Sequence, residues 1–251
     1  MQLRWGGAAS VSCEGALFTG SSGNLAASVD FTLDGPNLKV VLTNTSSSDV
    51  LVPADVLTAV FFSTLGNTAF GSVSAILTAG STVIYDPDGQ PADGVVGGEW
   101  AFGNALSGAP LGANSGISSS GFGIFGDATF PGPSLQNPDA VDGLQYGITS
   151  AGDNSATGNG GITGTDGLIK NSVTFLLSGV PVGFNPASIT KVSFQYGTAV
   201  GDPDEPNIPG DPFTPGGGLG TAPEAATLII WSVLGTIALG FGCLRRHRQA
   251  V

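Results

Sequence analysis

In "LAASVDFTLDGPNLKVVLTNTSSSDV", residues 25–50, Val29, Phe31 and Leu33 alternate with Asp30, Thr32 and Asp34. A period of two places the three apolar side chains on one face of an extended strand, and a helix would scatter them. Asp34-Gly35-Pro36-Asn37 is a turn cluster, after which Leu38, Val40 and Leu42 resume the alternation. The pattern predicts a hairpin with one buried face. Val56 to Phe62 is almost entirely apolar, short, and rich in β-branched and aromatic residues. It reads as a strand buried on both faces, although periodicity alone also admits a buried helical turn.

From 71 to 166 the chain is punctuated by turns such as "YDPDGQPADG", "GNALSGAPLGANSG" and "TSAGDNSATGNGGITGTDG", with short apolar or aromatic stretches between them. The alternation then returns at Val173, Phe175 and Leu177, and again at Thr190, Val192, Phe194 and Tyr196. Short alternating strands joined by Gly/Pro/Asn/Asp turns predict an all-β fold over residues 24–200. The expected form is an antiparallel β-sandwich or jelly-roll-like domain. Residues 201–222 contain five prolines, six glycines and four acids. They are expected to form a flexible linker, reaching ~65 Å at ~3 Å per residue.

Charge divides the chain. Nineteen acids and four bases (Arg4, Lys39, Lys170, Lys191) precede Ala225, a net of −15, while the last 26 residues carry +3 from Arg245, Arg246 and Arg248. With no basic patch to neutralise phosphates, nucleic acid is excluded as a partner. Ala226 to Leu244 gives 19 residues without a charge. At ~1.5 Å per residue they span ~28 Å as a helix, close to the ~30 Å hydrocarbon core of a bilayer. The reading is a C-terminal transmembrane helix over 226–244, its orientation set by the three arginines, which leave the acidic domain outside. Residues 1–23 contain no apolar core of a signal peptide. Two routes stay open: a start upstream of Met1, which this reading favours, or export through the C-terminal segment alone. Cys13 and Cys243 read as unrelated thiols, since no Cys-x-x-Cys motif is present.

The order of linker, Pro223-Glu224-Ala225, one apolar span, arginine cluster and chain end resembles the PEP-CTERM sorting signal of bacterial surface proteins. It covers roughly residues 222–248. Pro223 and Glu224 match the motif, and Ala225 stands where a second proline is usual. Taken alone, Pro-Glu at a helix start has an ordinary explanation in backbone geometry and the helix dipole. "LTNTSSSDVLVPADVLTAVFF" and "LQNPDAVDGLQYGI…GNGGITGTDGLIKNSVTF" also look like a family of such surface proteins. The resemblance implies processing by an exosortase, a membrane-embedded transpeptidase-like enzyme, and a place on the cell surface or in the extracellular polysaccharide matrix. It implies no activity for the β domain.

Candidate chemistry in the body is sparse. Gly121 to Gly126 matches G-x-G-x-x-G, but Pro131 and Pro133 follow where a dinucleotide site needs a helix. The single histidine, His247, lies in the basic tail, which rules out His-dependent catalytic and zinc sites in the body. Glu99 beside Trp100 is the best candidate for a glycosidase acid next to a sugar-stacking ring. The bland reading makes Glu99 a solvent-facing strand residue and Trp100 a core residue. Asp86, Asp88 and Asp93 supply hard oxygen ligands for calcium, as do Asp202, Asp204 and Glu205. Neither set follows the EF-hand pattern, and Asp is also an ordinary turn residue. The expectation is a non-enzymatic exported surface protein with an exosortase, the membrane and extracellular polysaccharide as partners. The alternative is a carbohydrate-binding or glycan-degrading domain on the same anchor.

Overall fold

The hairpin predicted around Gly35 is the centre of the first sheet. β2 (Leu25–Asp34) and β3 (Asn37–Asn44) pair antiparallel with Asp34 opposite Asn37, so Gly35 and Pro36 alone form the loop. Gly35 takes φ +57°, a conformation that costs a residue without a Cβ little and starts a two-residue hairpin turn. Val29, Phe31, Leu38, Val40 and Leu42 are all fully buried, as the alternation requires.

The computed structural model describes residues 15–86, 90–120, 135, 143–158, 167–198 and 207–212. β1 (Ala16–Ser22) adds to β2, and β11 (Ser172–Ser178) joins β3 to β5 (Gly71–Leu77). With β14 (Asp211–Pro212) on the outside of β1, the first sheet runs β14-β1-β2-β3-β11-β5. In the second sheet, β4 (Leu57–Ser63) lies between β12 (Thr190–Tyr196) and β8 (Ser115–Ser118), and β7 (Ala101–Asn104) pairs with β8. β9 (Ile148–Thr149) pairs with β4 at Leu57, β10 (Leu168–Lys170) follows β9 and β6 (Thr82–Ile84) follows β10, while β13 (Asn207–Pro209) borders β12. The two sheets share one core. Phe31 of the first meets Phe62 of the second at 5.0 Å between ring centroids, edge-on, and Phe175 meets Trp100 at 5.0 Å.

The all-β expectation holds, with two corrections. One pair, β9–β10, is parallel. The residues between Thr149 and Leu168 are numerous enough for the crossover that a parallel pair needs. The β body also extends past both ends of the expected 24–200 range. β1 begins at Ala16, and β13 and β14 occupy part of the stretch read as linker. Phe18 and Ile208 from these added strands are buried in the shared core. Pro209 and Pro212 stand in edge strands, where a missing N–H need not break a ladder. Residues 207–212 therefore fasten the edge of one sheet to the edge of the other, with Gly210 N–H donating to Val192 O at 2.9 Å between them. A Cβ on Gly210 would sit 2.8 Å from Val192 Cγ1, so only glycine fits this crossing.

β4 is buried at every position. Val60 and Phe62 face the core between the sheets, and Ala59 and Phe61 face outward against Leu106, Ala109 and Ala113. The helices of the described residues are short 3-10 turns, none long and apolar enough to cross a membrane. The span 226–244 lies outside the described residues, as do Cys13, Cys243 and His247.

Candidate functional site

Among the described residues, a set of interacting polar side chains joins two loops at one end of the sheets. The chain leaves β3 through Thr45–Val56 and leaves β9 through Ser150–Gly158. Asp153, 2% exposed, accepts the Val50 N–H at 3.0 Å. Asp49 accepts the Asn154 N–H at 2.8 Å and the Thr157 hydroxyl at 2.7 Å. Each aspartate thus holds the backbone beside the other, a reciprocal clasp. Ser150 Oγ donates to Ser48 O at 2.5 Å, and Lys170 Nζ donates to Asp153 O at 2.7 Å. A Cβ on Gly152 would lie 2.4 Å from Ser47 O, so this close approach requires glycine.

Tyr85 completes the cluster. Its hydroxyl donates to the Asp153 carboxylate at 3.2 Å, and its backbone takes φ +70°, a strained value for a tyrosine. Beside it opens a cleft of about 350 Å³ lined by Val83, Ile84, Tyr85, Asp86, Gln90 and Ser155. Gln90 closes one wall through a two-way bond with the Val83 backbone, Nε2 to O at 2.6 Å and N–H to Oε1 at 3.3 Å.

The two carboxyls titrate in opposite directions. Burial pushes Asp153 up, and its hydrogen bond with Asp49 adds to that. The Thr157 hydroxyl, the Asn154 N–H and the bond with Asp153 hold Asp49 down. A proton shared between them therefore rests on Asp153. Burial, followed by the Asp153 charge, pushes Tyr85 up and keeps it a donor. The arrangement can hold a proton and fix two loops.

Its pH signature follows from the signs. The folded state lowers the pKa of Asp49, so that group stabilises above its unfolded pKa, and the contribution is lost as pH falls through the folded value. The folded state raises the pKa of Asp153, so its ionised form costs stability above the raised value, and the cost disappears as pH falls through it. Asp153→Asn fixes the neutral form, and its urea stability will change less than the parent's as pH rises above the ordinary carboxylate range and through the raised value. Equal pH dependence in the two proteins would show that Asp153 does not carry the proton.

The residues singled out in the sequence fall elsewhere. Trp100 is fully buried, with Nε1–H donating to Tyr146 O at 3.2 Å, so its ring offers no platform to a sugar. Glu99 is buried, 6% exposed, which corrects the expectation of a solvent-facing residue; its N–H bonds back to Val96 O at 3.2 Å in a tight bend before β7. Asp86 lines the cleft, Asp93 is exposed with φ +55°, and Asp88 lies outside the described residues. Among the described residues no three His, Cys, Asp or Glu side chains converge in a way that would hold a metal ion. The 121–126 glycine motif, Asp202, Asp204, Glu205, Pro223, Glu224, Ala225, Arg245, Arg246 and Arg248 lie outside the described residues. Sequence reading missed Asp49 and Asp153 because each sits in an ordinary turn, and nothing local pairs turns 104 residues apart. No protein-family model, curated protein or solved structure matches this chain.

Proposed function

We propose that the chain is an exported surface protein. Its β body, a sandwich or jelly-roll-like module that is antiparallel except for the β9–β10 pair, is displayed outside the membrane and sorted through the C-terminal segment. The observation that carries this reading is the order of Pro223-Glu224, the uncharged run 226–244 and Arg245, Arg246 and Arg248, set behind an acidic body. The partners are a transpeptidase-like exosortase and the bilayer, with extracellular polysaccharide as the setting. The body acts as a rigid module rather than a catalyst. The burial of Trp100 and Glu99 weighs against the glycan-degrading alternative, which relied on that pair at the surface.

A plain anchor and a sorting signal respond differently to the same change. Insertion depends on apolar length and flanking charge, so Pro223→Ala with Glu224→Ala leaves it intact. An enzyme that reads the Pro-Glu segment loses its substrate. Made in a host that contains an exosortase, the parent will lose its C-terminal segment, and the double variant will stay inserted and uncleaved. Mass spectrometry of the mature C-terminus reads the difference. A parent that keeps residues 226–251 in that host would reduce the segment to an anchor and overturn the sorting reading.

A further inference from the structure

The loops that follow β4, β7 and β11 gather at one end of the sheets. Register fixes this, since Ser63 pairs with Thr190, Asn104 with Ser115, and Ser178 with Gly71. Contacts join the loops to one another. Asn114 Oδ1 accepts the Thr64 N–H at 3.3 Å, Lys191 Nζ donates to Gly112 O at 3.0 Å, and Phe184 meets Phe70 at 5.6 Å.

Residues 64–70, 105–114 and 179–189 contain no Asp or Glu, although the chain has 19 acids. The clasped loops at the opposite end carry Asp49, Asp55 and Asp153. The neighbouring β2–β3 turn supplies Asp34 at the margin of the acid-free end. The tips of these loops are apolar. Val182 is fully exposed, Leu65 is 71% and Leu111 53% exposed, the three most exposed large hydrophobic residues among those described. Leu111 also has φ +56°. A leucine held in the left-handed region, with half its surface in water, gains neither backbone ease nor burial from its own chain.

β14 leads toward this end. It runs antiparallel to β1, and so in the same sense as β2, whose last residues meet Leu38 and, through it, Leu177. Thirteen residues separate Pro212 from Ala226. Extended, they reach ~43 Å at ~3.3 Å per residue.

We propose that this acid-free end docks on the lipid bilayer, with Leu65, Leu111 and Val182 entering the headgroup boundary. The proposal rests on the reading of 226–244 as the anchor. Apolar loop tips gain by burial in the interface, and the missing carboxylates spare this end repulsion from anionic lipid. A short tether raises the local concentration of bilayer, so a small apolar area is enough.

The test uses the full chain in phosphatidylcholine vesicles with brominated acyl chains, without exosortase. Leu65→Trp and Leu111→Trp report on the docked end and Leu51→Trp on the other, each corrected for the native tryptophans. The expected result is at least about twofold stronger quenching at 65 and 111 than at 51. Equal quenching at all three positions, in a chain that floats with the vesicles, overturns the docking and leaves the anchor standing. Shielding at 65 and 111 that follows protein concentration rather than lipid assigns the surface to a second copy and overturns it too. A chain that does not float with vesicles overturns the anchor reading and the docking with it.

Discussion

A chain cut to residues 24–200 will not unfold cooperatively, whereas residues 15–212 will fold to a monomer with a single thermal transition. The shorter piece retains the obvious alternating strands but lacks β1, β13 and β14. Losing β1 removes a strand paired to β2 at seven positions and takes Phe18 from the core. Losing residues 207–212 removes Ile208 and the join between the sheet edges. Burial of Phe18 and Ile208 contributes roughly 1.5–3 kcal/mol each, and the lost hydrogen bonds about 0.5–1.5 kcal/mol apiece. The total is comparable with the ~5–15 kcal/mol that holds a typical domain together. The cut also bares the β2 edge, a template for association between chains. Thermal melts and size-exclusion chromatography on both pieces check this. If the two melt within a few degrees of each other as monomers, the added strands are ornamental.

That boundary shows where sequence reading stops. Alternation located β2, β3 and β11, whose burial alternates along the strand, because side-chain direction follows a local rule. By the same rule it located β12, where Val192, Phe194 and Tyr196 share the core face although Ser193 and Gln195 between them are buried too. It passed over 207–212, because proline and glycine signal a loop wherever they occur, and only the position at two sheet edges makes them tolerable in strands. The Asp49–Asp153 clasp was illegible for a related reason. Its turns have ordinary composition, and their meeting depends on β9 lying against β4 and β10. The glycine at 152, needed for the approach to Ser47, is one of 41 in the chain and carries no mark of its role.

β4 joins both lessons in one experiment. The apolar run from Val56 to Phe62 predicted burial on both faces, and the structure places Phe62 against Phe31 at 5.0 Å and Phe102 at 6.4 Å in the core between the sheets. What covers the other face was not predictable, since residues 105–114 read as a string of turns. They fold back so that Leu106, Ala109 and Ala113 pack on Phe61, and Gly116 on β8 makes room for that ring. A Cβ at 116 would lie 2.7 Å from Phe61 Cδ1. Phe62→Ala and Phe61→Ala should each cost about 3–5 kcal/mol, a drop of roughly 6–20 °C in melting temperature for a domain this size. Because the rings occupy opposite faces and separate clusters, the two losses should nearly add in the double variant. Gly116→Ala tests the outer face by overpacking, at about 1–3 kcal/mol, and Phe61→Ala in the same chain should relieve much of that cost. If Phe61→Ala leaves the melting temperature unchanged, residues 105–114 do not cover the sheet, and one of the two cores assigned to β4 is not there.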